Sequence, residues 1–211
     1  MTGFYDPGSC TPSFSNGGTI DYGLISIHTL KANEFNVLPE RQIHFAIVCT
    51  RSQKVGFKLT SQRVGTLLQA NGEQENTFGF GLSPVPLLGF SAEASTGLGL
   101  DRSQNKIGGM AMNITQGATI VDGDRNVALL QSSNGGSDYS LKANESFLTA
   151  GSDQGGAYQY TWGDQGSDVA KAFMNAIVTV NVQAYLNKLE NLDLSDLINI
   201  DGAVTFEMVY L

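Results

Sequence analysis

The sequence has 211 residues, of which 12 are Lys or Arg and 20 are Asp or Glu, so its formal net charge is −8. Charged residues make up only 15% and apolar residues 41%, which excludes a charge-rich disordered chain. The absence of any basic run argues against a nucleic-acid partner. No apolar stretch is long enough for a transmembrane segment. A chain of this length can bury one sizeable core.

Glycine is unusually frequent, with 25 in 211 residues, and it is interspersed with Asn, Ser and Asp. This composition is typical of many turns between short strands. We therefore predict an all-β, immunoglobulin-like antiparallel sandwich with at most short helices. The sequence contains no repeat, heptad or linker, so we expect an irregular segment over residues 1–9 and a single domain over residues 10–211.

The first sixty residues contain three predicted strands after an irregular start. Residues 19–27 offer a short one, with Ile20, Tyr22 and Leu24 on one face. The clearest alternation runs over residues 43–49, with apolar side chains at the odd positions, and a second run follows at residues 55–59. Because turn residues 50–53 separate these two runs, they predict an antiparallel hairpin.

The rest of the chain continues with short apolar runs and one long polar region. Further strands are predicted at residues 77–82, 97–100, 107–114, 118–121, 127–131 and 177–184. Residues 132–166 shift towards Ser, Gly, Asp and Asn, and we predict a long loop or insertion around residues 132–175. A helical turn is expected after Ser167-Asp168. Leu186, Leu189 and Leu192 have helical spacing and predict another short helix or turn.

Three aromatic residues, Tyr158, Tyr160 and Trp162, alternate within the polar region. One interpretation is a strand that buries one face in the core. The other is a platform on which a carbohydrate would stack, because aromatic faces beside Asp and Asn suit sugar hydroxyls.

The only two cysteines are Cys10 and Cys49. Their spacing and neighbours do not fit a zinc site. Two alternatives stay open: buried free thiols, or one structural disulfide, which requires an oxidising compartment. Closing the loop between them would stabilise the fold by roughly 4 kcal/mol. No signal peptide is recognisable in the first thirty residues, so we expect the chain, if it is exported, to be a mature form.

The last fourteen residues alternate, with mostly apolar side chains at the even positions from Ile198 to Tyr210. Gly202 interrupts the apolar face, which in a strand marks a bulge or the close approach of another group. Residues 202–211, Gly-Ala-Val-Thr-Phe-Glu-Met-Val-Tyr-Leu, resemble the C-terminal signature of chaperone–usher pilus subunits. That signature has alternating apolar residues, an early Gly and a penultimate Tyr.

Other segments resemble a poorly characterised, fimbrial-like branch of these proteins, which Gram-negative bacteria export and which carry a domain of unknown function. The similar segments are residues 10–23 (Cys-Thr-Pro-Ser-Phe-Ser-Asn-Gly-Gly-Thr-Ile-Asp-Tyr-Gly), 38–40 (Leu-Pro-Glu) with the strand into Cys49, and 192–195 (Leu-Asp-Leu-Ser). The resemblance does not extend to residues 132–175.

The resemblance implies a sandwich that lacks its seventh strand and exposes a groove beside an unpaired edge. In the family, a periplasmic chaperone fills the groove with its own strand, and a neighbouring subunit's N-terminal extension later replaces it. It also implies a location in the periplasm and, as part of a fimbrium, on the cell surface. The residues that would form the edge and chaperone-binding site are Gly202, Val204, Phe206, Met208, Tyr210 and Leu211.

Each of these residues has an implied role. Val204, Phe206, Met208 and Tyr210 would line one wall, and their sequence neighbours would make backbone hydrogen bonds along the edge. Gly202 would leave room at the end of the groove where strand exchange begins. Basic side chains of the chaperone would hold the Leu211 carboxylate.

Residues 1–9 depart from the family pattern. Phe4 and Tyr5 are adjacent rather than alternating, and Pro7 lacks the N–H that a strand would use. We therefore expect this segment not to donate a strand, which leaves trimming, a place at a pilus tip or a non-polymerising role as alternatives. In an isolated monomer, we expect part of residues 132–175 or another molecule to fill the groove.

The sequence offers no catalytic or cofactor motif. His28 and His44 belong to no metal-binding spacing. Residues 122–126 imitate the start of a calcium loop, but Val127 and Ser133 stand where Gly and Glu are required, so we expect a turn and no metal.

Four carboxylates near aromatic residues, Glu145, Asp153, Asp164 and Asp168, show no spacing that positions a glycosidase pair. We therefore expect no enzyme. The alternative to the fimbrial interpretation is a secreted or pilus-tip, adhesin-like carbohydrate-binding sandwich.

Overall fold

A computed structural model describes residues 8–69, 73–91, 94–115, 117–142, 145–154 and 156–211. Within these ranges the chain is all-β with antiparallel sheets, which confirms the predicted fold class. The strands are β1 (Cys10–Phe14), β2 (Asn36–Val37), β3 (Arg41–Gln53), β4 (Val55–Ser61), β5 (Phe80–Leu82), β6 (Ala94–Gly97), β7 (Gly108–Thr115), β8 (Ile120–Val121), β9 (Val127–Ser132), β10 (Ser140–Leu141), β11 (Glu145–Phe147), β12 (Gly151–Ser152), β13 (Gly156–Ala157), β14 (Gln159–Asp164), β15 (Phe173–Leu186) and β16 (Val204–Tyr210).

The described helical elements are short 3₁₀ turns at Ser15–Gly18, Ile27–Thr29 and Leu189–Asn191. The third is the short helix predicted from the leucine spacing. Among the described residues, no helix is long and apolar enough to cross a membrane.

The larger sheet contains nine of the described strands, in the order β1-β3-β15-β7-β6-β5, with β2 and β8 also paired to β15 and β11 paired to β7. Its central strand is β15, which includes the strand predicted at residues 177–184. Alternate residues of β15 are apolar and buried, because one face of the strand packs into the core.

The smaller sheet has the order β10-β9-β14-β4-β16. β16 pairs with β4 without a bulge, from Val204 opposite Ser61 to Tyr210 opposite Val55. β12 and β13 form a separate two-stranded sheet.

The main core lies between the two large sheets. Phe45 on β3 and Phe57 on β4 face each other, with ring centroids 5.5 Å apart. Phe57 also packs on Trp162 of β14, with centroids 5.6 Å apart. All three side chains are fully buried. A second cluster, including Leu67, Leu87, Ala111, Phe147 and Tyr185, covers part of the other face of the larger sheet.

The predicted hairpin of β3 and β4 is wrong. β3 lies in the larger sheet and β4 in the smaller one, so the chain crosses between sheets at Lys54. β3 also continues through Gln53, across the predicted turn. Alternation indicates which face of a strand is buried but does not identify its hydrogen-bonded neighbour, and here the two apolar faces meet across the core.

Four other predictions need correction. Residues 19–26 form no strand although they alternate, and no helical turn follows Ser167. The described part of 132–175 is not one long loop, since it holds β10 to β14 and the start of β15. Its Gly, Ser and Asn residues lie largely in tight turns between short strands. β16 begins at Val204, six residues later than the alternation that starts at Ile198.

Candidate functional site

A disulfide joins Cys10 at the start of β1 to Cys49 on β3, where the two residues lie opposite each other in register. It settles the two alternatives for the cysteines in favour of the disulfide. Disulfides persist in oxidising compartments, so this bond is typical of an exported protein. The bond also fixes β1 as the last strand of the larger sheet.

β16 is the last strand of the smaller sheet, and its inward-facing side chains are only half-buried. The corresponding residues of the neighbouring β4 are buried. The edges β1 and β16 run side by side in opposite directions, since Cys10 contacts Tyr210 and Phe14 contacts Phe206. We call the space between these two edges the seam. In the described chain, neither edge has a strand on its seam side.

The hydrogen bonds of β16 show which backbone groups face the seam. At one end, the N–H of Gln62 donates to the carbonyl of Ala203 (2.9 Å), and at the other the N–H of Leu211 donates to the carbonyl of Lys54 (3.0 Å). Because bonded and non-bonded positions alternate in an antiparallel pair, the odd-numbered residues of β16 bond to β4. The N–H and C=O groups of the even-numbered residues therefore project into the seam.

This pattern corrects the expectation that the sequence neighbours of the even-numbered residues would bond along the edge. Within the described residues, the groups available for a new strand belong to Val204, Phe206, Met208 and Tyr210 themselves. The same residues also turn their side chains towards the interior of the sandwich, except for the largely exposed Tyr210.

The seam is closed at the end next to the disulfide. There the N–H of Cys10 donates to the hydroxyl of Tyr210 at 2.9 Å. Four residues further along β1, the rings of Phe14 and Phe206 meet edge to face, with centroids 5.1 Å apart. Side chains therefore bridge the two edges from Tyr210 to Phe206.

Beyond Phe206 the seam opens into a cavity of about 500 Å³, which we call the first cavity. One wall comes from residues 14–22 and the other from residues 200–206. Its floor consists of side chains of the sandwich interior: Ile43, Leu98, Met110, Met112, Val180, Val182 and Ala184. An apolar floor beside free backbone groups is the surface that an added β-strand requires.

Gly202 allows the second wall to lie directly on this floor. A Cβ atom at this position would lie 2.7 Å from Leu98 Cδ2 and 3.0 Å from Met110 Sδ. The close approach proposed from the sequence is therefore present. Two bonds of the neighbouring Asp201 hold Gly202 in this position. The N–H of Asp201 donates to the Leu98 carbonyl (3.0 Å), and Arg63 binds the Asp201 carboxylate (2.6 Å).

The predicted wall residues divide into two groups. Gly202, Val204 and Phe206 line the first cavity. Met208 packs against the core without lining the cavity, and Tyr210 bridges the closed end. The cavity wall therefore begins earlier than predicted, at Ile200, and ends at Phe206. The described residues of 132–175 do not line this cavity, so the expected filling by that region is not observed.

The opposite wall and the floor were not predicted from the sequence. Ile20 and Tyr22 alternate inward as predicted, yet they line the cavity instead of forming a strand. Their alternation was the available signal. The sequence does not indicate that Met110 and Met112 form the floor of the cavity, because their position there depends on pairing between distant strands.

Of the three alternating aromatic residues, Tyr160 and Trp162 are fully buried and Tyr158 is half-buried. The hydroxyl of Tyr160 donates to the Thr149 carbonyl at 2.9 Å, and burial raises the pKa of this tyrosine. The core interpretation is confirmed for Tyr160 and Trp162, whose ring faces are not accessible to a sugar. Carbohydrate binding elsewhere on the chain stays a prediction.

The loop at residues 122–126 forms a tight turn, in which Val121 and Asp124 exchange backbone hydrogen bonds of 2.9 Å. The Asp122 carboxylate accepts the N–H of Asn175 at 2.7 Å, so it fastens the turn to β15. Among the described residues, no three His, Cys, Asp or Glu side chains are grouped so as to hold a metal ion.

The other candidate polar residues are dispersed. Asp164 pairs with Lys171 at 2.5 Å, and Asp153 accepts the N–H of Thr77 at 2.8 Å. Asp168, His28 and His44 are exposed. The side chain of Glu145 lies outside the described structure. Asp164 and Asp153 therefore have separate partners, and the described carboxylates form no common site.

The fold and the seam define an antiparallel β-sandwich protein whose two sheets end beside an apolar cavity. Residues 1–111 match the family described as "Protein of unknown function (DUF1120)", and the chain belongs to this family. It is 25% identical over 216 residues to "Uncharacterized protein YhcF" of Escherichia coli (strain K12), an alignment that covers 96% of this chain and 85% of the relative. No solved structure matches the chain.

Proposed function

We propose that this protein is a fimbrial-like subunit that associates by β-strand complementation, first with a periplasmic chaperone and then with neighbouring subunits. The observation that carries the proposal is the seam, which beyond its closed end opens into a cavity between the free edge of β16 and residues 14–22, with the core of the sandwich as its floor. An inserted strand would complete both the backbone pairing and the apolar packing at this place.

The energetic gain from such a strand is substantial. Each apolar side chain that it buries fully contributes roughly 1.5–3 kcal/mol. Each backbone hydrogen bond formed with β16 adds about 0.5–1.5 kcal/mol. A segment with alternating apolar residues supplies both terms at once, because alternate side chains of a strand point to the same face.

The immunoglobulin-like pilin fold belongs to this proposal. In that fold the missing strand lies between the first and last strands, and here the seam lies between β1 and β16. The disulfide supports export, and the proposal places the protein in the periplasm and on the cell surface of a Gram-negative bacterium. The carbohydrate-binding alternative gains no support from the buried Tyr160 and Trp162.

The test uses a substitution that removes a hydrogen bond only on the seam side. The N–H of Val204 points into the seam, so Val204→Pro removes a donor for the partner strand and leaves the β4 pairing intact. The control is Val204→Ala, which shortens the side chain but retains the N–H. Each variant is exported together with a periplasmic chaperone of the chaperone–usher class, and the complex is isolated.

We expect the wild-type chain and Val204→Ala to co-purify with the chaperone and Val204→Pro to lose at least nine-tenths of the complex. In the wild-type complex, hydrogen exchange at Val204 and Phe206 should slow at least a hundredfold. The proposal fails if the wild-type chain is recovered as a folded monomer that neither binds the chaperone nor protects these amides.

A further inference from the structure

The apolar groove does not end at Gly202. A second cavity of about 480 Å³ shares Ile20, Tyr22 and Ile200 with the first cavity and continues from it. Its remaining apolar lining is Leu24, Ile25, Ile27, Leu30, Ile107, Leu186, Leu189, Leu192, Leu194, Leu197 and Ile198. The two cavities are therefore adjacent, and together they extend past the start of β16.

The walls of the second cavity carry unpaired backbone groups. Within the described part of the chain, no backbone hydrogen bond reaches residues 198–200 on one wall or residues 20–22 on the other. Ile198 and Ile200 still alternate inward as β16 does, although β4 has already ended. Unpaired N–H and C=O groups on both walls favour another peptide backbone as the occupant, since an acyl chain could not bond to them.

The rim of the second cavity is strongly apolar. Leu24 is 90% exposed, Leu197 71% and Ile27 49%. Contiguous exposed apolar side chains of this kind mark a surface that another molecule covers.

The charge of the second cavity restricts the occupant further. The charged residues that line it are Asp21 and Asp196, both acidic. Asp196 lies 3.7 Å from Arg102, a contact between two largely exposed side chains that contributes little. A basic side chain on the occupant would complement these two carboxylates.

We infer that the complementing segment of the partner continues past Gly202 into the second cavity, as an extended peptide with alternating apolar residues and a Lys or Arg opposite Asp21 and Asp196. This inference rests on the proposed function and specifies the chemistry of the partner. It requires a segment that continues about four residues beyond one that spans only positions 200–206, the wall of the first cavity.

The experiment compares two fluorescent synthetic peptides in which Val and Thr alternate. At about 3.3 Å per residue, a peptide of about seven residues spans positions 200–206, and one of about eleven residues also spans positions 196–199, which follow the turn at residues 194–195. The long peptide carries one Lys in its additional part. Fluorescence anisotropy with the wild-type chain should show at least tenfold tighter binding of the long peptide.

Variants locate the additional binding. Leu197→Glu and Leu24→Glu should weaken binding of the long peptide about tenfold and leave the short peptide unchanged. Both side chains are exposed, so the fold should tolerate the charge. The matched control is Val48→Glu, at a 54% exposed position on β3 that lines neither cavity. Asp196→Asn should weaken binding of the long peptide that carries Lys. It should not change binding of the same peptide with norleucine in place of Lys.

The outcomes separate this inference from the proposed function. If both peptides bind with equal affinity, or if Leu197→Glu has no effect, the extension into the second cavity is wrong while binding of the short peptide still supports complementation. If neither peptide binds but oleic acid does, with Leu197→Glu weakening it, the occupant is a lipid and both proposals are overturned.

Discussion

The closed centre of the sandwich and its open seam are built from the same kinds of side chain, and two phenylalanines show the difference. Phe57 and Phe206 stack on each other, with centroids 5.5 Å apart and ring planes 23° apart. Phe57 is fully buried, whereas Phe206 is half-buried. The reason is that β4 has a strand on each side, β14 and β16, while β16 has only β4.

Burial in this fold therefore depends on how many strands flank a residue. Both phenylalanines face the same interior and belong to the same aromatic group with Phe45. An alternating apolar strand at the edge brings its side chains to the core without covering them, and only a further strand would complete the burial.

The difference between the two positions predicts unequal costs for the same substitution. We expect Phe57→Ala to lower the free energy of unfolding by about 3–5 kcal/mol, as is usual for a fully buried phenylalanine. Phe206→Ala should cost about half as much, because part of its ring surface is already in water. Urea denaturation of the isolated chain measures both values. Equal losses would show that the seam is as closed as the centre.

The closed end of the seam can be loosened without touching the core. Tyr210→Phe removes the hydroxyl that accepts the Cys10 N–H, and we expect a loss of about 1 kcal/mol. Hydrogen exchange at the Cys10 amide should become faster. Tyr158→Phe serves as a control for removal of a tyrosine hydroxyl. An unchanged Cys10 exchange rate would mean that Tyr210 does not hold the two edges together.

The smallest expected effect concerns pH and the segment before β16. Hydrogen bonds from Ser103 and Ser195 lower the pKa of Asp193 to about 2. The Asp193 N–H in turn donates to the buried Asp101 carboxylate at 2.7 Å. Hydrogen bonds outweigh burial there and lower the pKa of Asp101 as well.

A carboxylate with a lowered pKa stabilises the fold above the pKa of the unfolded chain, near 3.9, and this stabilisation is lost as the pH falls. We therefore expect the urea midpoint to decrease between about pH 4 and pH 2. Asp193→Asn should decrease less over this interval, and Asp168→Asn, at an exposed position, should behave like the wild type. Identical pH profiles for all three chains would exclude a contribution from Asp193.

The sequence predicted the closed centre better than the seam, for a physical reason. The strands β3, β15 and β16 were visible because burial on one face imposes a period of two on the residues. Which strands pair was not visible, since pairing depends on contacts between distant segments. The chain crosses between the two sheets at Lys54, and a lysine at this position does not distinguish a crossing from a hairpin turn.

For the candidate site, Gly202, Val204 and Phe206, for which the resemblance implied a position beside a groove, line the first cavity, and their role in strand complementation stays a prediction. The closing contact of Tyr210 with Cys10 was not predictable, because it joins residues 200 positions apart. The second cavity was also missed. Its walls alternate like strands but have no strand partner, and sequence patterns do not distinguish these two situations.

In β16 the odd-numbered residues bond to β4 and the even-numbered residues face the seam. This alternation determines which partner segments can replace one another at the seam. At each even-numbered residue of β16, the N–H and C=O groups point into the seam and the side-chain position faces the core. A partner segment is therefore recognised by its alternation of apolar residues rather than by particular side chains. A partner segment shifted by two residues would again fit, whereas a segment shifted by one residue would turn its polar face towards the core. Complementing segments with unrelated sequences could therefore replace one another, provided that their apolar residues alternate in the same register.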